Sequence, residues 1–293
     1  MKRIAVAGIP GGWSTERLAQ AVERRTGFSA VIDVERMSVD MGTGRIKCAG
    51  ADMGALDGVI VKKIGEVYSP NAMDRLEILR AAGKAGTRFF SSPENIGRML
   101  NRASCTATLA LGGIPMPPTV ITEGVEDAVD AVERFGEAVF KPMFSTKARG
   151  MALISSGSGA RDEVERFKIA GNPVMYIQKK ISLPGRDLGL AFLGGEYLAA
   201  YARVSRGSWN TTINSGGKYE KFSPPKEMID MAGRAQSLFG LDFTGVDIAE
   251  TSDGPVVFEV SAFGGFRGLL EGCGVDAAQL YADYVIRKVG NGD

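Results

Sequence analysis

The sequence predicts an α/β protein with more than one domain. Short β-branched runs alternate with helical patterns along the whole chain, and glycine or proline separates most of them. The chain has 293 residues, a length that indicates about two domains. With 44% hydrophobic and 24% charged residues, its composition is that of an ordinary globular protein.

The first part of the chain is predicted to form a small open parallel α/β domain. Apolar runs predict buried strands, and Met73, Leu76 and Leu79 recur at helical spacing between two of them. In chain order the predicted elements are strand Ile4–Ala7, a turn at Gly8–Gly12, helix Ser14–Arg25, strand Val59–Val61, helix Ala72–Ala85 and strand Thr87–Phe90.

A further helix is predicted to begin at Ser92-Pro93-Glu94, which supplies an N-cap, a proline suited to the first helical position and an acidic first turn. The pattern predicts one helix that runs through Asn101-Arg102 and ends at Gly112-Gly113. The prolines at positions 115, 117 and 118 then exclude helix and mark a domain joint.

Beyond this joint, strands alternate with helices and then form two longer hairpins. The predicted elements are helix Val125–Phe135, strands Val139–Lys141 and Met151–Ile154, helix Arg161–Ala170, strand Met175–Ile181, hairpin Leu188–Leu193 with Leu198–Val204, a polar loop Ser205–Ser223, helix Pro225–Phe239, hairpin Phe243–Glu250 with Val256–Val260, and helix Asp276–Lys288.

Composition excludes several functional classes. The chain has no histidine, which removes His-based triads and metal clusters. Its 35 Lys and Arg against 34 Asp and Glu give a net charge of +1, so we expect no nucleic acid or membrane partner. Three widely spaced cysteines and the lack of a long apolar run predict a cytoplasmic protein without a disulfide framework.

The second hairpin brings two carboxylates together. If Ser252-Asp253-Gly254 forms the loop, Thr251 pairs with Pro255 and Asp247 lies opposite Glu259. Opposed carboxylates repel unless a cation lies between them, and Mg²⁺ prefers carboxylate and phosphate oxygens. The alternative is a sheet whose carboxylates face water.

Two further segments have the chemistry of a nucleotide site. Lys141 ends an apolar strand and precedes a small-residue cationic loop, Met143–Gly150, which suits a polyphosphate. The segment Gln178–Ile181 leaves a strand, and Asp187 follows it closely, so backbone groups and a carboxylate could contact a base and a ribose. The alternatives are a solvated loop lysine and an ordinary strand end. The loop is not a Walker P-loop, because it lacks the pattern of glycines before Lys-Ser/Thr.

The order of these pieces resembles the ATP-grasp ligases of the RimK-like type over nearly the whole chain. The segments Phe144–Met151 and Glu259–Gly268 also resemble a subgroup named for a bacterial GAK gene system. The resemblance is carried by Val61–Gly65, Asn101-Arg102, Phe140–Pro142, Gln178–Ile181, Arg186–Leu188, Ala199–Arg203, Gly216-Gly217, Gly245–Ile248, Glu259–Ser261 and Gly264–Asp276.

The resemblance implies an α/β (α+β) ATP-grasp fold in which two α+β lobes hold ATP and Mg²⁺ (or Mn²⁺). The domains implied are 1–95, an N-terminal α/β domain, 96–180, a central lobe, and 181–293, a C-terminal lobe with the metal site. The implied ATP-binding residues are Arg102, Lys141, Gln178, Lys179, Lys180, Ile181 and Asp187. The implied metal ligands are Asp247, Glu259 and Ser261, and the implied catalytic residues are Arg203, Lys147 and Arg149.

Several positions depart from the family pattern. Arg102 stands where a phosphate-binding lysine is usual, Gly189 replaces an arginine, Ser261 replaces an asparagine ligand, and Thr212 replaces another asparagine. The loop after Lys141 is also poorer in glycine and more cationic. These departures leave open either a changed substrate or weakened catalysis.

The implied reaction is the joining of a small-molecule or peptide carboxylate to an amino acid through an acyl phosphate, with release of ADP and phosphate. Such chemistry depends on positioning and charge neutralisation, so it needs no histidine. Asn210, Asn214 and Arg267 are candidate substrate residues, with an exposed surface arginine as the alternative for Arg267. The resemblance leaves the substrates and a homo-oligomer open.

Two other functions remain as alternatives at this point. One is an ATP-binding regulatory or scaffolding protein that no longer ligates, which the departures at Gly189 and Ser261 support. The other is a dinucleotide-dependent oxidoreductase, suggested by Gly8–Gly12, although this segment lacks the Gly-x-Gly-x-x-Gly pattern.

Overall fold

A computed structural model describes residues 2–43, 45–52, 56–84, 87–145, 148–204 and 217–290. The strands are β1 Ile4–Ala7, β2 Val31–Ile32, β3 Met37–Asp40, β4 Arg45–Cys48, β5 Ala51–Asp52, β6 Gly58–Val61, β7 Phe89–Phe90, β8 Thr119–Thr122, β9 Glu137–Lys141, β10 Ala152–Ser155, β11 Met175–Lys179, β12 Arg186–Leu193, β13 Glu196–Val204, β14 Lys218–Phe222, β15 Phe243–Thr251 and β16 Gly254–Ser261. The α-helices are α1 Trp13–Thr26, α2 Asn71–Lys84, α3 Pro93–Leu100, α4 Arg102–Leu111, α5 Val125–Phe135, α6 Ala160–Ile169, α7 Lys226–Ser237, α8 Phe266–Cys273 and α9 Ala277–Gly290. A mixed α/β fold is therefore confirmed.

The N-terminal sheet is parallel, as predicted, in the order β2-β1-β6-β7. Every residue of β1 and β6 is buried, which is typical of parallel strands covered on both faces. The sequence patterns missed β2 and a small antiparallel sheet of β3, β4 and β5. Strand β2 has only two residues, and β3, β4 and β5 are short and contain charged residues, so they give little hydrophobic periodicity.

The single helix predicted through Asn101-Arg102 is wrong, because the chain forms α3 and α4 with a break between them. Asn101 has an extended backbone, with φ −70° and ψ 114°, and its side chain accepts a hydrogen bond from the Ser104 N–H at 3.0 Å. Asn101 is thus the N-cap of α4. The break makes Arg102 the first residue of a new helix.

Replacing Asn101 by alanine should destabilise the protein by about 1 kcal/mol, because the orphan amide at the start of α4 loses its acceptor. Asn101→Asp is the matched control, since aspartate caps equally well. Urea unfolding measures both free energies of unfolding. An alanine variant as stable as the aspartate variant contradicts the capping role.

Two antiparallel sheets follow the N-terminal one. The central sheet has the order β10-β9-β11-β8, and the larger sheet has the order β14-β13-β12-β15-β16. Both predicted hairpins are confirmed, β12 with β13 and β15 with β16. The predicted polar loop is wrong for residues 218–222, which form β14, an edge strand whose three charged residues mask its pattern.

The hydrophobic cores show which parts pack together. The central sheet and its helices α5 and α6 have their own core, which includes Phe140 and Phe167. The N-terminal sheet instead shares buried clusters with the large C-terminal sheet and with α9. The central sheet and its two helices therefore form a separate lobe. The predicted domain bounds, 1–95, 96–180 and 181–293, stay a prediction.

Candidate active site

Strand register places the predicted polar residues in one row across the large sheet. Gly189 of β12 pairs with Tyr201 on one side and with Asp247 on the other, and Asp247 pairs with Glu259. Because residues two apart on a strand share a face, Asp187, Arg203 and Ser261 project from the same face. The row thus collects groups from four neighbouring strands.

The predicted pairing of Asp247 with Glu259 is confirmed, although the predicted loop is wrong by one residue. Thr251 pairs with Gly254, so the turn is shorter than predicted. The register then shifts between Asp247 and Ile248, where Phe258 is the extra residue of a β-bulge. The bulge compensates for the shorter turn and restores the carboxylate pair.

Arg203 bridges two carboxylates in this row. Its Nε donates to both oxygens of Asp187 at 3.0 and 3.1 Å, and its Nη2 lies 3.1 Å from Asp247 Oδ1. Burial acts to lower the pKa of Arg203, but Asp247 and Asp187 outweigh it and hold the pKa above its usual value. The guanidinium is therefore a fixed positive charge beneath the site.

The carboxylate pair fits a divalent cation. Burial raises the pKa of Asp247 to about 6, Arg203 opposes the rise, and Glu259 adds to it. A bound cation would favour the charged form of Asp247 and offset the cost of burying it. In the described ranges no three His, Cys, Asp or Glu side chains are grouped to hold a metal ion. Two carboxylates and the Ser261 hydroxyl suit Mg²⁺, which commonly takes its remaining ligands from phosphate and water.

Arg102 links the central lobe to this row. Its Nη1 lies 3.6 Å from Glu259 Oε2, and its Nε donates to the Pro142 carbonyl at 3.1 Å. The break at Asn101 positions this residue, because it starts α4 at the edge of the large sheet. Since α4 packs in the core of the large sheet, Arg102 lies between Glu259 and the strand end of the central lobe.

Lys141 ends β9 and is held by a buried hydrogen-bond network. Its Nζ donates to Gln178 Oε1 at 2.6 Å. The amide Nε2 of Gln178 donates to Thr119 Oγ1 at 3.1 Å and to the Tyr176 hydroxyl at 3.3 Å, which turns the amide oxygen toward the lysine. The Lys141 ammonium also lies 5.5 Å from the centre of the Phe258 ring. Gln178, a predicted ATP-binding residue, thus supports Lys141, and its contact with ATP stays a prediction.

The environment of Lys141 predicts proton uptake when a polyphosphate binds. Burial lowers the pKa of Lys141 to about 8, and Arg102 adds to the lowering. A bound phosphate favours the charged form and raises this pKa, so about half a proton should be taken up at pH 8 and far less at pH 6.5. ATP titrations in buffers of different ionisation enthalpy measure the uptake. Equal uptake by Lys141→Met contradicts the assignment.

The segment predicted to contact adenine leaves the sheet after β11. The N–H groups of Lys179 and Lys180 donate to the carbonyls of Pro118 and Glu137, at 2.8 and 3.0 Å. The Lys180 ammonium also pairs with the Glu137 carboxylate at 3.0 Å. Ile181 is therefore the first of these residues beyond the sheet hydrogen bonds.

Other predicted residues lie at the periphery or outside the described part. Arg149 is exposed in a turn. Arg267, a candidate substrate residue, lies in the first turn of α8, and its guanidinium is 5.0 Å from the centre of the Trp13 ring. The remaining predicted residues, Lys147, Asn210 and Asn214, lie outside the described residues, as does Thr212.

Sequence reasoning missed Tyr201, whose buried ring fills the place next to Gly189. A Cβ on Gly189 would lie 2.5 Å from the Tyr201 ring, and one on Gly268 of α8 would lie 2.6 Å from it. The ring thus packs between the sheet and α8. Glycines at positions 265, 268 and 272 were the available signal, because a helix this rich in glycine allows a large side chain to approach its backbone closely.

Comparison with known proteins agrees with this geometry. The family model for the RimK-like ATP-grasp domain matches residues 100–285. A tetrahydromethanopterin:alpha-L-glutamate ligase of Methanosarcina acetivorans is 27% identical, over 97% of this chain and 99% of its own. A probable alpha-L-glutamate ligase of Aeromonas salmonicida is 26% identical, over 98% of this chain and 97% of its own. The solved ATP-grasp ligase PsnB, in complex with a minimal precursor, is 22% identical with a TM-score of 0.76, over 98% of this chain and 99% of its own.

The fold and the facing lobes define an ATP-grasp enzyme, a class that joins carboxylates to amines at the expense of ATP. The chain belongs to the RimK-like ATP-grasp family. The family uses ATP with a divalent cation, and another structure of PsnB contains Mg and ADP. Membership of this family does not support a dinucleotide-dependent oxidoreductase. In the part of the chain that the structure describes, no helix has the length and apolar character needed to cross a membrane.

Proposed function

We propose that ATP binds between the central lobe and the large sheet, and that this chain joins an amino acid to a small-molecule or peptide carboxylate. The observation that carries the proposal is that Arg102 lies 3.6 Å from Glu259 of the large sheet and also donates to the Pro142 carbonyl, next to Lys141 of the central lobe. Cations on one side thus face carboxylates on the other. A magnesium nucleotide presents both charges, phosphate toward the cations and metal toward the carboxylates.

In this proposal Lys141 and Arg102 bind the phosphates, and Asp247, Glu259 and Ser261 hold Mg²⁺ or Mn²⁺. The metal, when bound, neutralises charge on the phosphates. Asp187 is the proposed ribose contact, and Lys179, Lys180 and Ile181 border the adenine. The Lys141 ammonium donates to Gln178 at 2.6 Å and is thereby fixed at the end of its strand, ready to meet a phosphate.

The reaction proceeds in two displacements. An oxygen of the substrate carboxylate attacks the γ-phosphorus, the bond to the bridging oxygen breaks, and ADP leaves. The amine then attacks the acyl carbon, loses a proton and expels phosphate. Arg203 steadies the developing charge near the row, and Lys147 or Arg149 closes over the transferring phosphate. Such steps gain most of their rate from alignment and charge neutralisation.

The amine substrate proposed is an acidic amino acid, with glutamate as the first to test. Two relatives over nearly the whole chain are named as alpha-L-glutamate ligases. Arg267 offers a guanidinium on the surface of α8, and a guanidinium binds a carboxylate through paired hydrogen bonds. Asn210 and Asn214 are further proposed substrate contacts. The precursor peptide bound by PsnB keeps a peptide carboxylate among the acceptors to test.

The test is ADP release from ATP and Mg²⁺ with a panel of amino acids and carboxylate acceptors, followed by mass spectrometry of the product. The proposal predicts a product equal to acceptor plus amino acid minus one water, formed with ADP and phosphate. Metal-dependent ATP binding with no ADP release across the panel contradicts ligation of these substrates and favours a non-ligating nucleotide-binding protein.

A further inference from the structure

A buried lysine links the N-terminal sheet to the proposed metal site. Lys62 directly follows β6 and is only 2% exposed. Its Nζ donates to the carbonyls of Phe263 and Gly264 at 3.1 and 3.2 Å, and it lies 3.6 Å from the centre of the Phe266 ring. An ammonium has three N–H donors, and two carbonyls with one aromatic face satisfy them.

Stability alone does not account for an ammonium at this place. Lysine is almost never fully buried without a charged partner, and desolvation of its charge costs free energy. Burial accordingly lowers the pKa of Lys62 well below its usual value, and the neighbouring Lys63 adds to the lowering. An apolar side chain of similar volume would fill the same space without this cost.

The carbonyls that Lys62 holds belong to the connection 262–265, which joins β16 to α8. In this connection the Phe263 N–H donates to Ser261 Oγ at 3.2 Å. The same residue therefore accepts from Lys62 through its carbonyl and holds Ser261 through its amide. A shift of the connection would move the Ser261 hydroxyl.

The loop that follows β6, residues 62–68, contacts the side chain of Phe263 as well. The Tyr68 and Phe263 rings pack edge to face, with their centres 6.1 Å apart. Lys63 Nζ lies 5.3 Å from the centre of the Phe263 ring. Residues 62–68 thus hold both the backbone and the ring of Phe263. Gly264 in turn lies beside Gly245, the strand partner of Ser261, and a Cβ on Gly245 would be in van der Waals contact with the Gly264 Cα at 3.7 Å.

We propose that Lys62 is a positioning residue for the metal ion. By holding the connection 262–265 it keeps the Ser261 hydroxyl beside Glu259, so that a weaker ligand than a carboxylate still completes the site. This inference rests on the proposed function, because it concerns the same metal site. Groups that orient metal ligands commonly change metal affinity by about 10- to 100-fold when they are removed.

Mn²⁺ binding in the presence of a non-hydrolysable ATP analogue, followed by electron paramagnetic resonance, tests the proposal. Lys62→Met keeps the volume and removes the donors, and it should weaken Mn²⁺ binding about tenfold while the analogue binds equally well in EDTA. Lys2→Met is the matched control, because Lys2 donates to the Ile286 carbonyl at 2.8 Å, between the N-terminus and α9. Wild-type Mn²⁺ affinity in Lys62→Met overturns the proposal.

Ser261→Ala provides a second, independent test. It should weaken Mn²⁺ binding as much as Lys62→Met does, and the double variant should be no weaker than either one, because both act through one hydroxyl. If Lys62→Met fails to fold in a thermal unfolding experiment, unchanged Mn²⁺ affinity in Ser261→Ala still overturns the proposal. A wild-type protein that binds the analogue but no Mn²⁺ contradicts the proposed function itself.

Discussion

Replacing Glu259 by glutamine should lower ADP formation by about 10³-fold and leave the protein folded, because the site loses one of its two opposed carboxylates. Glutamine keeps the size of the side chain but carries no charge for a divalent cation. It also ends the ion pair with Arg102, which lies 3.6 Å away. Initial rates of ADP release at saturating ATP and Mg²⁺ measure the effect.

The same hairpin offers a matched control in Glu250. This residue pairs with Arg186 at 2.8 Å and, by strand alternation, lies on the opposite face from Asp247. Glu250→Gln should therefore keep nearly normal turnover. Comparable loss in both variants means that charge on the hairpin, rather than a metal site, explains the effect, and near-normal turnover in Glu259→Gln removes the metal assignment.

The second large effect is expected at Lys141. Lys141→Met should weaken ATP binding about 10- to 100-fold, because a charge-assisted hydrogen bond to phosphate is lost. Methionine loses the ammonium contacts with the Tyr176 and Phe258 rings, but its thioether can pack against both rings, so the lobe should remain folded. Calorimetric titration with ATP and Mg²⁺ gives the dissociation constant.

A lysine elsewhere in the same lobe provides the control for this variant. Lys168 of α6 is partly exposed and donates to the Glu123 carbonyl. Lys168→Met removes the same formal charge from the lobe, and it should leave ATP binding unchanged. If both variants weaken binding equally, long-range charge rather than a contact with phosphate accounts for the loss.

The elements with strong periodicity could be predicted from the sequence. Helix Val125–Phe135 and strand Ile4–Ala7 have the predicted bounds. The carboxylate pair is also predicted, but through two compensating errors, since neither the shorter turn nor the bulge at Phe258 has a local signal that a single sequence makes visible. Register therefore needs the whole sheet, because packing selects where the bulge lies.

The parts that could not be predicted depend on contacts between distant segments. The hydrogen bond from Lys62 to Phe263 joins residues 201 positions apart, and nothing in either segment indicates the other. Gln178 has a strand pattern like that of its neighbours, so its bond to Lys141 appears only when β9 and β11 are paired. Asn101 is the exception, because asparagine is among the preferred N-cap residues and could have indicated the break.

If Lys141 and the Asp247–Glu259 pair together form a site for a magnesium nucleotide, tight binding of ATP must require the metal ion. Calorimetric titration of ATP into the wild-type protein, with Mg²⁺ and then with EDTA, tests this most directly. We predict binding that is tight with Mg²⁺ and much weaker without it. Absence of binding in both conditions, or binding that Mg²⁺ does not change, would contradict the site.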